Sequence, residues 1–201
     1  MTSKETNIKG LVLAGGKSLR MGQDKGLMSW HGKEQRYHMV DLLSEFCDEV
    51  YISCREEQVN EIKDFPTLTD KFDVKGPAAG ILTALHQDAN CAWLVVACDL
   101  PLLDAAAIQY LIDNRDAGKV ATTYKSPHDG LPEPLITIWE PNSKDALLSF
   151  VEQGYSCPRK ALINSDTSII VPKDEEALIN ANTPEEAERV RSIIDKRLNL
   201  A

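Results

Sequence analysis

The chain has 201 residues, of which 43% are hydrophobic and 26% are charged, and its formal net charge is −9. This composition is ordinary for a soluble globular protein, and the length suits one α/β domain over residues 1–201, with residues 1–6 as a flexible end. An acidic balance argues against broad nucleic-acid binding, which requires a basic face. Because no run of about 18 apolar residues is present, no membrane span is expected either.

The start of the chain and its cysteines indicate a compartment. The first ten residues, MTSKETNIKG, are polar and lack the apolar stretch of a signal peptide. The five cysteines are odd in number and none stand in C-x-x-C spacing, which is typical of free thiols in a reducing environment. We therefore expect a cytoplasmic protein in which Cys98 is a small core residue rather than a reactive thiol.

Apolar runs that predict strands alternate along the chain with stretches of helical periodicity. The predicted strands cover residues 10–14, 49–54, 66–69, 92–98, 120–124, 135–139 and 167–171. The predicted helices cover residues 34–46, 55–62, 77–86, 105–115 and 143–153, and a last helix follows Thr183. Residues 26–33 are expected to form an extended piece and a turn, and residues 125–134 a loop. This order favours a three-layer, Rossmann-like α/β fold with a mostly parallel central sheet.

The stretch from residue 13 to residue 25, LAGGKSLRMGQDK, follows the first predicted strand. Gly15 and Gly16 lack a Cβ, so their backbone can adopt positive φ and offer N–H groups to an anion at close range. Cations follow at Lys17, Arg20 and Lys25. This pattern predicts a nucleotide-phosphate site, and the alternative is a glycine-rich turn with solvated charges. It matches neither the P-loop nor the dinucleotide fingerprint, which disfavours P-loop NTPases and nicotinamide dehydrogenases.

Two aspartates stand at the carboxyl ends of predicted strands, where open α/β sheets bind ligands. Asp99 ends the most continuously apolar strand, and Mg²⁺ prefers one or two carboxylates together with substrate phosphates. Asp99 is therefore a candidate metal ligand, although it could instead cap the following turn. Asp70 ends the third strand and is a weaker candidate, because a solvated loop acid would look the same.

Residues 13–25 resemble the signature of the molybdenum cofactor guanylyltransferases, within the nucleotidyltransferase superfamily that includes sugar-nucleotide pyrophosphorylases. The resemblance continues through GPAAGI at residues 76–81, ACDLP at residues 97–101 and NANTPEE at residues 180–186. It implies a fold of the nucleotide-diphospho-sugar transferase type. The implied reaction transfers GMP from GTP to the terminal phosphate of a molybdopterin-type cofactor and releases pyrophosphate.

The same resemblance implies roles for individual residues. The residues expected to bind the nucleotide are Leu13, Ala14, Gly15, Gly16, Lys25, Asp70 and Asp99. The expected catalytic residues are Lys25, Arg20 and Asp99, and Asp99 would bind Mg²⁺. Either Asn180 or Asn182 could assist the metal, and the sequence does not distinguish them.

The acceptor side is implied more weakly. In the family, the region around residues 125–139 helps to receive the acceptor, so Glu133 and His128 are candidates, as are Arg159 and Lys160 for its phosphate. All four also fit a plain solvated surface. A protein partner that delivers the unstable acceptor is a further expectation from the family's substrate class.

The identity of the base rests on less evidence. Relatives that use GTP tend to carry LAGG, as this chain does, whereas close relatives that use CTP tend to carry LAAG. However, guanylyltransferases commonly carry an asparagine after the second strand, and this chain reads Ile52-Ser53-Cys54-Arg55 there. A cytidylyltransferase or sugar-phosphate nucleotidyltransferase is therefore the alternative enzyme, and a non-catalytic nucleotide-binding protein is the alternative outside enzymes.

Overall fold

A computed structural model describes residues 7–16 and 25–198 of the protein. The strands are β1 (Ile8–Leu13), β2 (Val50–Cys54), β3 (Thr67–Thr69), β4 (Ala92–Ala97), β5 (Ala121–Lys125), β6 (Pro132–Trp139) and β7 (Thr167–Ile170). The helices are α1 (Gln35–Ser44), α2 (Pro77–Gln87), α3 (Ala105–Asp113), α4 (Ser143–Glu152), α5 (Pro158–Ile163) and α6 (Pro184–Leu198). Short 3-10 helices cover Lys25–Leu27, Glu56–Glu61 and Glu176–Leu178.

The strands form one seven-stranded sheet in the order β3-β2-β1-β4-β6-β5-β7. All neighbouring pairs are parallel except those of β6, which runs antiparallel to β4 and to β5. The predicted mostly parallel α/β sheet is therefore confirmed. The parallel strands β1 to β4 place their carboxyl ends at one edge of the sheet, where an open α/β sheet binds ligands.

The central strand β4 explains how the sheet is covered on both faces. All six of its residues are buried. Leu94 and Val96 pack into a core cluster that includes residues of α1 and α3, whereas Trp93 and Val95 pack into a second cluster with α2, α4 and α5. Because successive side chains of a strand point to opposite faces, this alternation produces the predicted three layers. No helix in the described ranges is long and apolar enough to span a membrane.

Several predicted helix boundaries are confirmed. Pro77 is the first residue of α2, and the preceding Gly76 has a φ of 81°, a conformation that glycine adopts at little cost. The Asp104 side chain accepts a hydrogen bond from the Ala107 backbone N–H at 2.9 Å, which caps α3. Thr183 and Glu186 likewise exchange capping hydrogen bonds at the start of α6.

Two local predictions are wrong. Strand β6 begins at Pro132, three residues earlier than predicted, because Lys125 pairs with Pro132 and the Ser126 N–H donates to the Leu131 carbonyl at 2.7 Å. A proline at the first position of a strand needs no ladder N–H, so the proline-rich composition did not exclude a strand. The start of the predicted extended piece after Lys25 is instead the 3-10 helix Lys25–Leu27.

Candidate active site

A cleft of about 650 Å³ opens at the carboxyl ends of β1 to β4, beside the start of α2. The seven residues that the sequence singled out for nucleotide binding all line it: Leu13, Ala14, Gly15, Gly16, Lys25, Asp70 and Asp99. They come from four segments that are far apart in the chain. The parallel strand order brings these segments together. The glycine segment continues from the end of β1, Asp70 and Asp99 follow the ends of β3 and β4, and Lys25 begins the 3-10 helix after β1.

The glycine segment lies against the end of β2. The Ala14 N–H donates to the Ser53 carbonyl at 2.9 Å, and Arg55 Nη1 donates to the Gly15 carbonyl at 2.6 Å. Neither Gly15 nor Gly16 adopts a positive φ, so the freedom that glycine has there is not used in this conformation. A Cβ built on Gly16 meets no atom of the described residues within 4 Å.

Lys25, Asp99 and Asn182 meet just beyond the carboxyl end of β4. Lys25 Nζ lies 3.4 Å from Asp99 Oδ2 and donates a short hydrogen bond to Asn182 Oδ1. The Ala181 N–H donates to the Asp99 backbone carbonyl at 2.9 Å, which fixes the segment before α6 to the end of β4. The structure thus brings Asn182, rather than Asn180, to the lysine and the aspartate.

Asp70 lies on the opposite wall of the cleft from the strand that carries Asp99. Asp70 is exposed at the cleft, and partial loss of hydration raises its pKa above the ordinary aspartate value. Within the described ranges, no ion pair of Asp70 offsets this loss of hydration. This arrangement is common where a carboxylate receives a ligand rather than a protein partner.

Comparison with known proteins identifies the family. Residues 10–169, well over half of the chain, match the family described as the MobA-like NTP transferase domain. The chain belongs to this family. Membership confirms the predicted resemblance and the prediction that the protein is a nucleotidyltransferase.

Individual proteins that are similar to this chain support the same family assignment. The molybdenum cofactor guanylyltransferase of Pseudomonas fluorescens (strain Pf0-1) is 32% identical over 87% of this chain and 89% of its own length. The molybdenum cofactor biosynthesis bifunctional protein of a Synechocystis species is 35% identical over 90% of this chain, which spans only 53% of that relative. The crystal structure of molybdopterin-guanine dinucleotide biosynthesis protein A from Archaeoglobus fulgidus has a TM-score of 0.79 at 24% identity, covering 94% of this chain and 99% of its own, so it shares the fold.

The residues of this MobA-like site fit a magnesium ion. Asp99 Oδ1 is buried and has no hydrogen-bond partner, which costs free energy unless a ligand or ion satisfies it. Within residues 7–16 and 25–198, no group of three or more His, Cys, Asp or Glu side chains could hold a metal. One carboxylate with an amide oxygen from Asn182 matches the sparse protein ligation of Mg²⁺, whose other ligands are water and substrate phosphates.

A second cavity of about 180 Å³ adjoins the cleft and shares Asp99 and Leu135 with it. Asn180 and Asn182 line it, together with two of the acceptor-side candidates, Glu133 and Arg159. The guanidinium of Arg159 contacts two carboxylates, Asp129 at 2.7 Å and Glu133 at 3.1 Å. Its charge is therefore already compensated on this side of the site.

The other acceptor-side candidates lie elsewhere. His128 is exposed in the β5–β6 connection and lines neither of these two cavities. Lys160 Nζ lies 5.1 Å from the centre of the Tyr155 ring, a cation–π contact at the surface. Lys17 and Arg20 fall outside the described residues, so the predicted catalytic role of Arg20 stays a prediction.

Arg55 is a cleft residue to which the sequence analysis gave no role. It directly follows β2, just as Asp70 follows β3 and Asp99 follows β4. This position at the carboxyl edge of the sheet could have identified Arg55 as a cleft residue from the sequence. The sequence analysis considered only that no asparagine stands at Ser53 or Cys54, and both of those side chains are buried.

Proposed function

We propose that this MobA-like transferase transfers GMP from GTP to the terminal phosphate of a molybdopterin-type cofactor and releases pyrophosphate. The observation that carries the proposal is the grouping of Lys25, Asp99 and Asn182 around a buried, unpartnered carboxylate oxygen at one end of a nucleotide-sized cleft. The name of the Pseudomonas fluorescens relative supports guanylyl transfer to the molybdenum cofactor.

The chemistry requires positioning and charge stabilisation rather than a protein nucleophile. The acceptor phosphate attacks the α-phosphorus of the nucleotide, and the bond to the pyrophosphate leaving group breaks. Lys25 balances the negative charge that develops on the phosphates, and the backbone N–H groups of Gly15 and Gly16 hold the nucleotide. Arg20 steers the departing pyrophosphate.

Asp99 and Asn182 would hold Mg²⁺, which when bound acts as a Lewis acid and template for the triphosphate. Lys25 Nζ contacts the oxygen atoms of both residues, so a cation is already favoured between them. Lys25 therefore stands beside the residues that would hold the ion, where its ammonium would balance the charge of the nucleotide phosphates.

The base and the acceptor belong to the proposal as well. Gly15 is the LAGG position that distinguishes GTP-type from CTP-type relatives in the family resemblance. A cytidylyltransferase remains the second candidate, because Ser53 and Cys54 are buried where guanylyltransferases commonly place an asparagine. The adjoining cavity beside Glu133 and Arg159 would receive the acceptor. We also propose a protein partner that delivers the acceptor, and a cytoplasmic location, for which the five free cysteines are the support.

The test measures nucleotide binding by thermal shift, with GTP, CTP, ATP and UTP, each with and without Mg²⁺. A ligand at 100 times its Kd stabilises the folded state by about 2.7 kcal/mol. A Mg²⁺-dependent shift with GTP alone is the expected result. A preference for CTP would replace the proposal with the second candidate, and the absence of any shift would contradict nucleotide binding by the free enzyme.

Turnover then tests the assigned residues. Lys25→Ala and Asp99→Ala should each reduce pyrophosphate release by about 10²- to 10³-fold, the scale for the loss of one preorganised electrostatic group. Lys119→Ala is the matched control, since Lys119 pairs with Asp166 at the surface far along the chain from the cleft residues. Near-normal turnover of either site variant contradicts the role given to that residue.

A further inference from the structure

The side chain of Arg55 reaches across from the end of β2 to the glycine segment that follows β1. Its Nη1 donates a hydrogen bond of 2.6 Å to the Gly15 carbonyl, and its Nε donates to Glu57 Oε1 at 2.7 Å. A Cβ built on Gly15 would lie 3.6 Å from the backbone of Cys54 and Arg55. The glycine segment therefore lies in van der Waals range of the β2 end, within reach of the guanidinium.

This hydrogen bond sets the direction of one peptide group. The Gly15 carbonyl and the Gly16 N–H belong to the same peptide, and in a trans peptide these two groups point in opposite directions. The described residues contain no cis peptide bond. With the carbonyl held against Arg55, the Gly16 N–H must point away from Arg55. Gly16 lines the cleft, and among residues 7–16 and 25–198 no atom lies within 4 Å of a Cβ built on it.

We propose that Arg55 is a positioning residue that presets the Gly15–Gly16 peptide so that the Gly16 N–H binds the nucleotide. The inference rests on the proposed nucleotide binding and adds to it the residue that aims the loop. A cationic donor on a peptide carbonyl polarises that peptide and strengthens its N–H as a donor. Two different effects of Arg55, orientation and polarisation, thus act on the same N–H group.

Arg55 carries this role better than its neighbours. The adjacent Ser53 uses its backbone carbonyl to receive the Ala14 N–H, and its side chain is buried against Gly80. The side chain of Glu57 is 65% exposed, so its ion pair with Arg55 contributes little to stability. Glu57 is therefore suitable for a control substitution. The Arg55 backbone N–H is bonded separately to Gln58 Oε1, so side-chain substitutions leave that contact in place.

The experiment compares the full-length protein with Arg55→Gln and Arg55→Lys, with Glu57→Gln as the matched control. We expect Arg55→Gln to raise the KM and Kd for GTP by about tenfold or more, the scale for loss of a charge-assisted hydrogen bond, with a smaller change in kcat. Arg55→Lys should restore part of the affinity because an ammonium can still reach the carbonyl. Glu57→Gln should bind GTP as the wild type does.

An amide spectrum of the ¹⁵N-labelled protein without nucleotide separates positioning from direct contact. In Arg55→Gln, the amide signals of Gly15 and Gly16 should shift or broaden while the melting temperature stays close to that of the wild type. Unchanged glycine amides, or equal GTP affinity in Arg55→Gln and the wild type, would overturn the inference alone. A wild-type protein that binds no nucleotide would overturn the proposed function together with it.

Discussion

At the scale of single residues, Asp70 combines a functional position with a cost in stability. The pKa of its carboxyl is raised because partial loss of hydration at the cleft disfavours the charged form. In the unfolded chain the same group ionises at its ordinary pKa. At pH values between the ordinary and the raised pKa, the folded state therefore binds more protons than the unfolded state. Stability therefore falls as pH rises through the window from the ordinary to the raised pKa, and the loss persists above it.

Substitution of Asp70 by asparagine should separate these two properties. Asp70→Asn removes the cost of desolvating a charged carboxylate, so the variant should be at least as stable as the wild type at pH 7. The difference in the free energy of unfolding between the two proteins should disappear as the pH falls below the ordinary aspartate pKa. Nucleotide affinity should fall, because the carboxylate acceptor is lost. Urea denaturation across a pH series and GTP titration measure both. A variant that is less stable yet binds GTP normally would show that Asp70 is structural.

The sequence located residues that the structure brings to one cleft where a strand end or a motif fixes their position. Asp99 and Lys25 both line the cleft for this reason, and their roles stay predictions. The choice of Asn182 over Asn180 was out of reach, because it depends on how the segment before α6 docks against the Asp99 backbone. The φ angles of Gly15 and Gly16 could not be predicted either, because the sequence shows which conformations glycine can adopt and not which one the neighbouring residues impose.

At the scale of elements, helix α2 packs unusually close to the sheet. A Cβ built on Gly80 would lie 2.5 Å from Ser53 Oγ and 2.9 Å from Leu13 Cδ2. Both contacts are closer than real Cβ atoms make, so a Cβ at this position would force the side chains of Ser53 and Leu13 to shift. Leu13 and Ser53 also line the cleft, so the same contact shapes the nucleotide site.

Gly80→Ala should therefore destabilise the protein. Overpacking of this kind lowers the free energy of unfolding by about 1–3 kcal/mol, and the better helix propensity of alanine offsets up to about 1 kcal/mol of this loss. Thermal or urea unfolding measures the loss, and Ser53→Ala in the Gly80→Ala background should recover part of it by removing the closest atom.

Gly16→Ala provides the matched comparison for this prediction. A Cβ there meets no atom in the part of the chain that the structure describes, so the stability of Gly16→Ala should not change, while its GTP binding should weaken if the nucleotide fills that space. Equal stability losses in the two alanine variants would contradict the packing argument.

Sequence reasoning identified most elements, and its failures have a common cause. The strands and helices with strong periodicity were all located, because burial on one or both faces leaves a pattern in the residue types. The start of β6 was missed because Pro132 and Pro134 indicated a loop. Their strand conformation is set by pairing with β5, a partner that the local sequence does not reveal.

At the scale of the whole molecule, a buried ion pair joins α3 to the far half of the sheet. Arg115, just after α3, makes two hydrogen bonds to Glu140, just after β6, at 2.7 and 2.8 Å. Glu140 is almost fully buried, whereas Arg115 is mostly so. Neither Arg115 nor Glu140 lines the cleft or the adjoining cavity. The pair is therefore a test of stability that removes no residue of the proposed site.

Glu140→Gln should lower the free energy of unfolding by about 3 kcal/mol or more, because it leaves a buried guanidinium without its countercharge. The surface pair of Lys119 with Asp166 is the control, and Asp166→Asn should cost less than about 1 kcal/mol. Replacing both buried partners together, as Arg115→Met with Glu140→Leu, should be less damaging than Glu140→Gln, since no charge then remains unpaired. The KM for GTP of each folded variant should match the wild type. A raised KM at unchanged stability would instead mean that this pair shapes the cleft from the opposite half of the sheet.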